Sequence, residues 1–241
     1  MKIFSHNLLL LFIVLLIGGT FYLSLIGLET SKFNNIIAHE IKKKDPLLVV
    51  KLKKIQIKFD IKEFQIYLST HNPSVNYQNI NIPIKEINIY SKIIPLIKSK
   101  IEINQINFLI ENFDINKIQT AASRIKPSNL KTYLLNNLKK GDVTNFFGHI
   151  GFDNNYKITD YKFNGNVEKV DLQFRDTHII EDLKLNFVAD KNLVLLNSIS
   201  ANYKNLKISN GSIEVENKEE IFIKGKLDSE LAFNEKDIFN F

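Results

Sequence analysis

The sequence predicts a mainly β protein: an N-terminal transmembrane helix, then an antiparallel sheet with a short helical insertion. Three observations predict it. From Asn7 to Leu28 the run NLLLLFIVLLIGGTFYLSLIGL carries no charged side chain. From Ile55 onward apolar residues recur at every second position, and between Ile118 and Leu138 the spacing changes to three and four. The chain divides accordingly into an anchor (1–29), an amphipathic helix (30–46), a β-sheet (47–116), a helical insertion (117–141) and a β-sheet repeat region (142–241).

At 1.5 Å per residue the first run reaches roughly 30 Å, the thickness of a bilayer's hydrocarbon core. A cleaved signal peptide is the rival, with Lys2 as its basic start and Leu8 to Ile17 as its apolar centre. Against cleavage, the apolar run continues past Gly18 and Gly19 to Leu28, and no A-x-A-like site closes it. Lys32 and Lys42 to Lys44 outnumber Lys2 and the α-amino group, so local charge alone favours a cytoplasmic C-terminus. Long domains cross largely regardless of charge, however, and a short tail before an apolar run resembles a signal-anchor, which places the bulk of the chain outside the cytoplasm.

SKFNNIIAHEIKKKDP then offers Ser31 as a helix N-cap, apolar Phe33, Ile36, Ile37 and Ile41, and Pro46 beyond the end. Its lysine run suits lipid headgroups, although a solvated helix end is the commoner meaning. In KLKKIQIKFDIKEFQIYLST, Ile55, Ile57, Phe59 and Ile61 share one parity and Phe64, Ile66 and Leu68 the other, so a turn or bulge at Lys62 and Glu63 returns them to one face as a hairpin. The same device recurs at Asn104 and Gln105, between Ile101 and Ile103 and Ile106, Phe108 and Ile110. Asn72 and Pro73 mark a turn, and Ile82, Ile84, Ile87 and Ile89 a strand-like stretch. Helical spacing at Ile118, Ala121, Ala122 and Ile125, then Leu130, Tyr133, Leu134 and Leu138, gives two short helices broken by Pro127 and ended by Gly141. Short strands follow to the end, linked by turn-like ADKN, SNG and ENKEE. Such a sheet must cover its apolar face by pairing with a second sheet, by curling on itself, or by binding something greasy.

Composition narrows the chemistry. Without Cys there are no thiol nucleophiles, disulfides or Cys-ligated zinc. The net charge is +6, but Arg124 and Arg175 are the only arginines among 32 basic residues, and the lysines interleave with acids. Bidentate phosphate and guanine recognition favours Arg, so a solvated surface with some affinity for anionic lipid is expected and nucleic acid is not. His6, His39, His71, His149 and His178 lie scattered with no metal-ligand spacing, and the chain has no G-x-S-x-G elbow, P-loop or G-x-G-x-x-G turn. Paired acids at Glu181–Asp182 and Glu219–Glu220 read as turns. No catalytic residue, cofactor or metal is expected.

The single anchor, the stretch from Phe33 to Tyr90 with its N-P turn, and LKLNFVADKNLVLLNSISANYKNLKISNGSIEVENKEEIFIKGKLDSEL together resemble the AsmA-like proteins of Gram-negative envelopes. The resemblance covers nearly the whole chain through patterns more than signatures. It implies a single-pass inner-membrane protein with a curved, groove-like or taco-like periplasmic sheet. That groove would shield phospholipid acyl chains crossing between the inner and outer membranes, in the service of outer-membrane biogenesis, with other envelope proteins as possible partners. Ile55, Ile57, Phe59, Phe64, Ile66 and Leu68 are the groove candidates, by parity. Members that bridge the envelope are usually much longer, so the chain is expected to be a fragment or a short member working with partners. The alternatives are a bitopic scaffold resembling the LptC-like component of lipopolysaccharide transport, and an anchored hydrolase.

Overall fold

The computed structural model describes residues 2–97, 102–123, 136–173, 178–217 and 220–231. Its elements in chain order are α1 (Lys2–Leu25), β1 (Leu28–Thr30), α2 (Asn34–Lys44), β2 (Leu48–Lys51), β3 (Ile55–Asp60), β4 (Gln65–His71), β5 (Ser74–Tyr77), β6 (Ile80–Ile82) and β7 (Ile84–Lys92). There follow α3 (Ile93–Ile97), β8 (Ile103–Asp114), α4 (Ile115–Ser123), β9 (Leu138–Phe152), β10 (Ile158–Gln173), β11 (Ile179–Asp190), β12 (Leu193–Tyr203), β13 (Leu206–Asn217) and β14 (Ile221–Leu231).

Alternating apolar residues and tight turns between neighbours produce one 11-stranded antiparallel sheet, ordered β1-β3-β4-β7 and then β8 to β14 consecutively. It is open, with β1 and β14 at its edges. β2, β5 and β6 form a separate three-stranded sheet. α1 packs against β3, α3 against β7, α4 against β8, β9 and β6, and α2 against β2 of the small sheet. The buried apolar residues are few, among them Val50, Val75, Ile55, Ile110, Ile115 and Val170.

Several sequence expectations are corrected. The expected membrane span is not met in the fold: among the described residues, no helix is long and apolar enough to cross a membrane. Ser31 is not the cap of α2; Phe33 holds that position without a side-chain bond. The second hairpin is instead one strand, β8, and the parity change at Asn104 is a bulge where the pairing with β7 slips. Gly141 does not end a helix but lies inside β9. Its φ of +131° and the side chain of Val170 packed against its Cα exclude any larger residue. Ile125, Leu130, Tyr133 and Leu134 lie outside the described residues.

The strands of the second half are long, not short: β10 has 16 residues. SNG is no turn, because Asn210 and Gly211 sit within β13, and the chain reverses at Lys204 and Asn205 instead. Glu181 and Asp182 belong to β11. Four successive strands, β9 to β12, each carry one non-glycine residue of positive φ: Asn145, Lys169, Asp182 and Ser198. Each stands at a slip in register, so all four are bulges.

Candidate functional site

Cross-strand partners in an antiparallel ladder point to the same face, so the registers trace each face of the sheet residue by residue. One row runs Ile55, Thr70, Ile87, Phe108, Gly148, Phe163, Ala189, Val194, Val215, Ile223, crossing from β3 to β14. Beside it run Ile57, Leu68, Ile89, Ile106, Ile150 and Tyr161. Of the side chains in these two rows only Thr70 and the phenolic end of Tyr161 are polar, and the Thr70 hydroxyl donates to the Lys54 carbonyl at 3.1 Å. The sheet therefore presents a continuous apolar face across ten strands.

The bulges keep that face in phase. In β12, Val194 and Leu196 point toward the apolar side, Ser198 takes up the extra position, and Ile199 and Ala201 then replace the even residues on it, both buried. In β10, Lys169 performs the same shift between Val167, paired with Leu185, and Val170, paired with Leu183. Leu193 and Leu195 pair with Glu216 and Glu214 on the other face.

At the centre of the apolar face lies an aromatic cluster. Phe146 touches Phe108, Phe163 and Phe187 at centroid separations of 5.8, 5.8 and 6.1 Å, and Tyr161 stacks on Phe163 at 5.4 Å. Gly148 makes this possible, because the ring of Phe108 lies directly over its Cα and a Cβ there would collide with it. Beyond the cluster the face opens progressively. Val194, Leu196, Ile213 and Val215 are half-buried, and on β14 Ile223 is 70 % exposed.

The six residues singled out by parity divide. Ile57 pairs with Leu68 and Phe59 with Ile66, so five of the six share the apolar face. Ile55 and Phe59, however, are 2 % and 7 % exposed and are core. Phe64 belongs to the four-residue turn after β3, with φ +52° and 65 % exposure, and meets the ring of Phe59 edge-on at 5.5 Å. Residues with accessible apolar surface that parity reasoning did not single out lie on β11 to β14. Their signal was present in the alternation, but nothing local told a half-covered strand from a covered one.

The opposite face is the more polar one, although Leu109, Phe147, Val188 and Leu195 also lie on it. Gln56, Ser69, Asn88, Asn107, His149, Lys162 and Asp190 form one row across it. The two ring nitrogens of His149 meet Asn107 Oδ1 and Asp160 Oδ2, each at 2.9 Å. The Thr159 hydroxyl donates to Asp160 Oδ1 at 2.8 Å. These bonds hold the Asp160 carboxyl below its usual range, the Thr159 hydroxyl first and His149 second. The constellation lines a shallow cavity of about 650 Å³, yet the hydroxyl bonds the carboxylate and not the imidazole. That order activates no nucleophile. Among the described residues no group of three or more His, Asp or Glu is placed to hold a metal ion.

No protein-family model, curated protein or solved structure matches this chain.

Proposed function

We propose that this chain is a membrane-seated periplasmic protein whose open apolar sheet face receives lipid acyl chains, taking part in phospholipid transfer between the inner and outer membranes. The observation that carries the reading is the unbroken apolar ladder from β3 to the bare edge β14, half exposed where it passes β11 to β13. Exposed apolar surface of this extent is costly in water and marks an interaction site. A strip of saturated CH₂ groups matches a surface that offers dispersion contact along its length and no directed hydrogen bond. The polar reverse face keeps the sheet soluble on its other side.

The membrane seat is supported by α1 itself. From Leu10 to Ile17 every side chain is exposed, on all sides of the helix. A helix that is apolar all round belongs in a protein interior or in lipid, and among the described residues none covers it between those positions. The curved groove and inner-membrane location implied by the AsmA-like resemblance belong to this proposal.

The test is photocrosslinking in Gram-negative cells. A benzophenone amino acid at Ile213 or Val215, on the apolar face, is expected to capture phospholipid, and one at Glu214, between them on the polar face, is not. Equal capture at both faces, or none at Ile213 in stably folded protein, overturns the reading. A second reading, a bitopic scaffold docking envelope proteins, is favoured by the free edge of β14, all of whose residues are exposed. Capture of protein rather than lipid at Ile213 would select it.

A further inference from the structure

The segments that emerge from α1 are tied into one block. Gly27 closes the helix with φ +79° and its N–H donating to the Tyr22 carbonyl at 3.1 Å, and a Cβ there would meet the Lys58 side chain at 2.7 Å. β1 pairs with β3, and the Asn34 side-chain amide donates to the carbonyls of Leu52 and Lys53 at 3.0 and 2.8 Å. α2 packs on β2. The helix, the start of α2 and the loop before β3 therefore meet at one end of the molecule.

That end has a composition unlike the rest. Between Gly27 and Lys54 stand seven lysines against three carboxylates, with Lys32, Lys51 and Lys53 exposed. Interspersed are apolar side chains with much of their surface open: Ile36 is 60 % exposed, Leu47 52 % and Val49 39 %. Exposed greasy residues set among lysines, next to a bare apolar helix, match the acyl boundary and headgroup layer of an anionic bilayer.

We infer that this block is a collar that lies on anionic phospholipid, with Ile36, Leu47 and Val49 dipping into the acyl boundary and Lys32, Lys51 and Lys53 on the headgroup phosphates. The inference rests on the membrane seat proposed above. Its consequence is orientation: the collar fixes the near end of the apolar face at the leaflet from which lipid would enter it.

The chain has no Trp, so one introduced indole reports alone. The full chain carrying Ile36→Trp is reconstituted in phosphatidylcholine vesicles with brominated acyl chains, with and without phosphatidylglycerol. Leu15→Trp, within α1, serves as the second reporter. Expected are quenching of Leu15→Trp in both lipids, and quenching and a blue shift of Ile36→Trp at least about twofold greater with phosphatidylglycerol, since each lysine near an anionic surface adds attraction. Adding Lys32→Gln, Lys51→Gln and Lys53→Gln is expected to remove that excess. Quenched Leu15→Trp with Ile36→Trp unquenched, or with its quenching indifferent to phosphatidylglycerol, overturns the collar and leaves the seat standing. Unquenched Leu15→Trp overturns both.

Discussion

Gly148 is the residue on which the aromatic cluster turns. Its missing side chain is filled by the ring of Phe108, which in turn abuts Phe146 at the hub of the cluster. Gly148→Ala forces that ring aside and is expected to cost about 1–3 kcal/mol, the usual range for overpacking, read as a lower urea midpoint. In Gly148→Ala with Phe108→Leu the two losses are expected to sum to less than their separate values, because the smaller side chain yields the space. Full additivity would place the ring elsewhere. On the polar face, Asp160 gives a pH-dependent contribution of known sign. Its carboxyl is held below the usual 3.8 by the Thr159 hydroxyl and His149, so its stabilisation is present above that value and fades as pH falls through the lowered one. The carboxylate is largely exposed, so the contribution is small. The stability difference between the native chain and Asp160→Asn is expected to narrow as urea titrations move from neutral pH toward pH 3.

At the scale of the strand, a change of parity is the feature that mattered and that sequence could not resolve. At Asp60 to Phe64 it is a turn, closed by the Asp60 carboxylate accepting from the N–H groups of Lys62 and Glu63 at 2.9 and 3.2 Å. At Asn104 and Ser198 it is a bulge within a continuous strand. Both devices return apolar residues to one face, so both leave the same trace in the sequence. What separates them is which distant strand lies alongside, and no local pattern encodes that. Mainly β character, one apolar face and the first hairpin were therefore legible. The length of β8 to β13, the strand order and the exposure of individual face residues were not, and β9 beginning at Leu138, inside the insertion expected to be helical up to Gly141, shows the same limit. Ser198 tests the bulge account directly. Ser198→Gly relieves a left-handed conformation costing a non-glycine residue about 1–2 kcal/mol and is expected to match or exceed native stability. Inserting one alanine after Ser198 turns Ile199 and Ala201 to the polar face and is expected to cost at least about 3 kcal/mol of lost burial. An insertion variant of native urea midpoint would show that the count of residues at this bulge does not set the phase.

At the scale of the molecule, the meander from β8 to β14 makes each strand depend on its two neighbours in the ladder, which is the condition under which stability behaves as a chain of nearest-neighbour terms. Such a sheet frays from its free end inward. β9 and β10 share the aromatic cluster and the buried Val170, while β14 has every residue exposed and, among the described residues, one partner, β13. Amide exchange in the full chain is therefore expected to be slowest in β8 to β10 and fastest in β14, with β11 to β13 graded between. A closed sandwich would not behave so, because a second layer would protect β11 to β14 together. Lipid adds a second arm to the measurement. Acyl chains lying along the half-exposed ladder bind the ordered sheet and not the frayed one, so mass action raises protection where the contacts form. Phospholipid is expected to slow exchange in β11 to β14 by far more than in β3 and β4, whose apolar side chains Ile55 and Phe59 are already covered. Uniform protection without lipid would reveal a covering layer over the outer strands, and a lipid effect confined to β3 and β4 would remove acyl chains from the face to which the ladder assigns them.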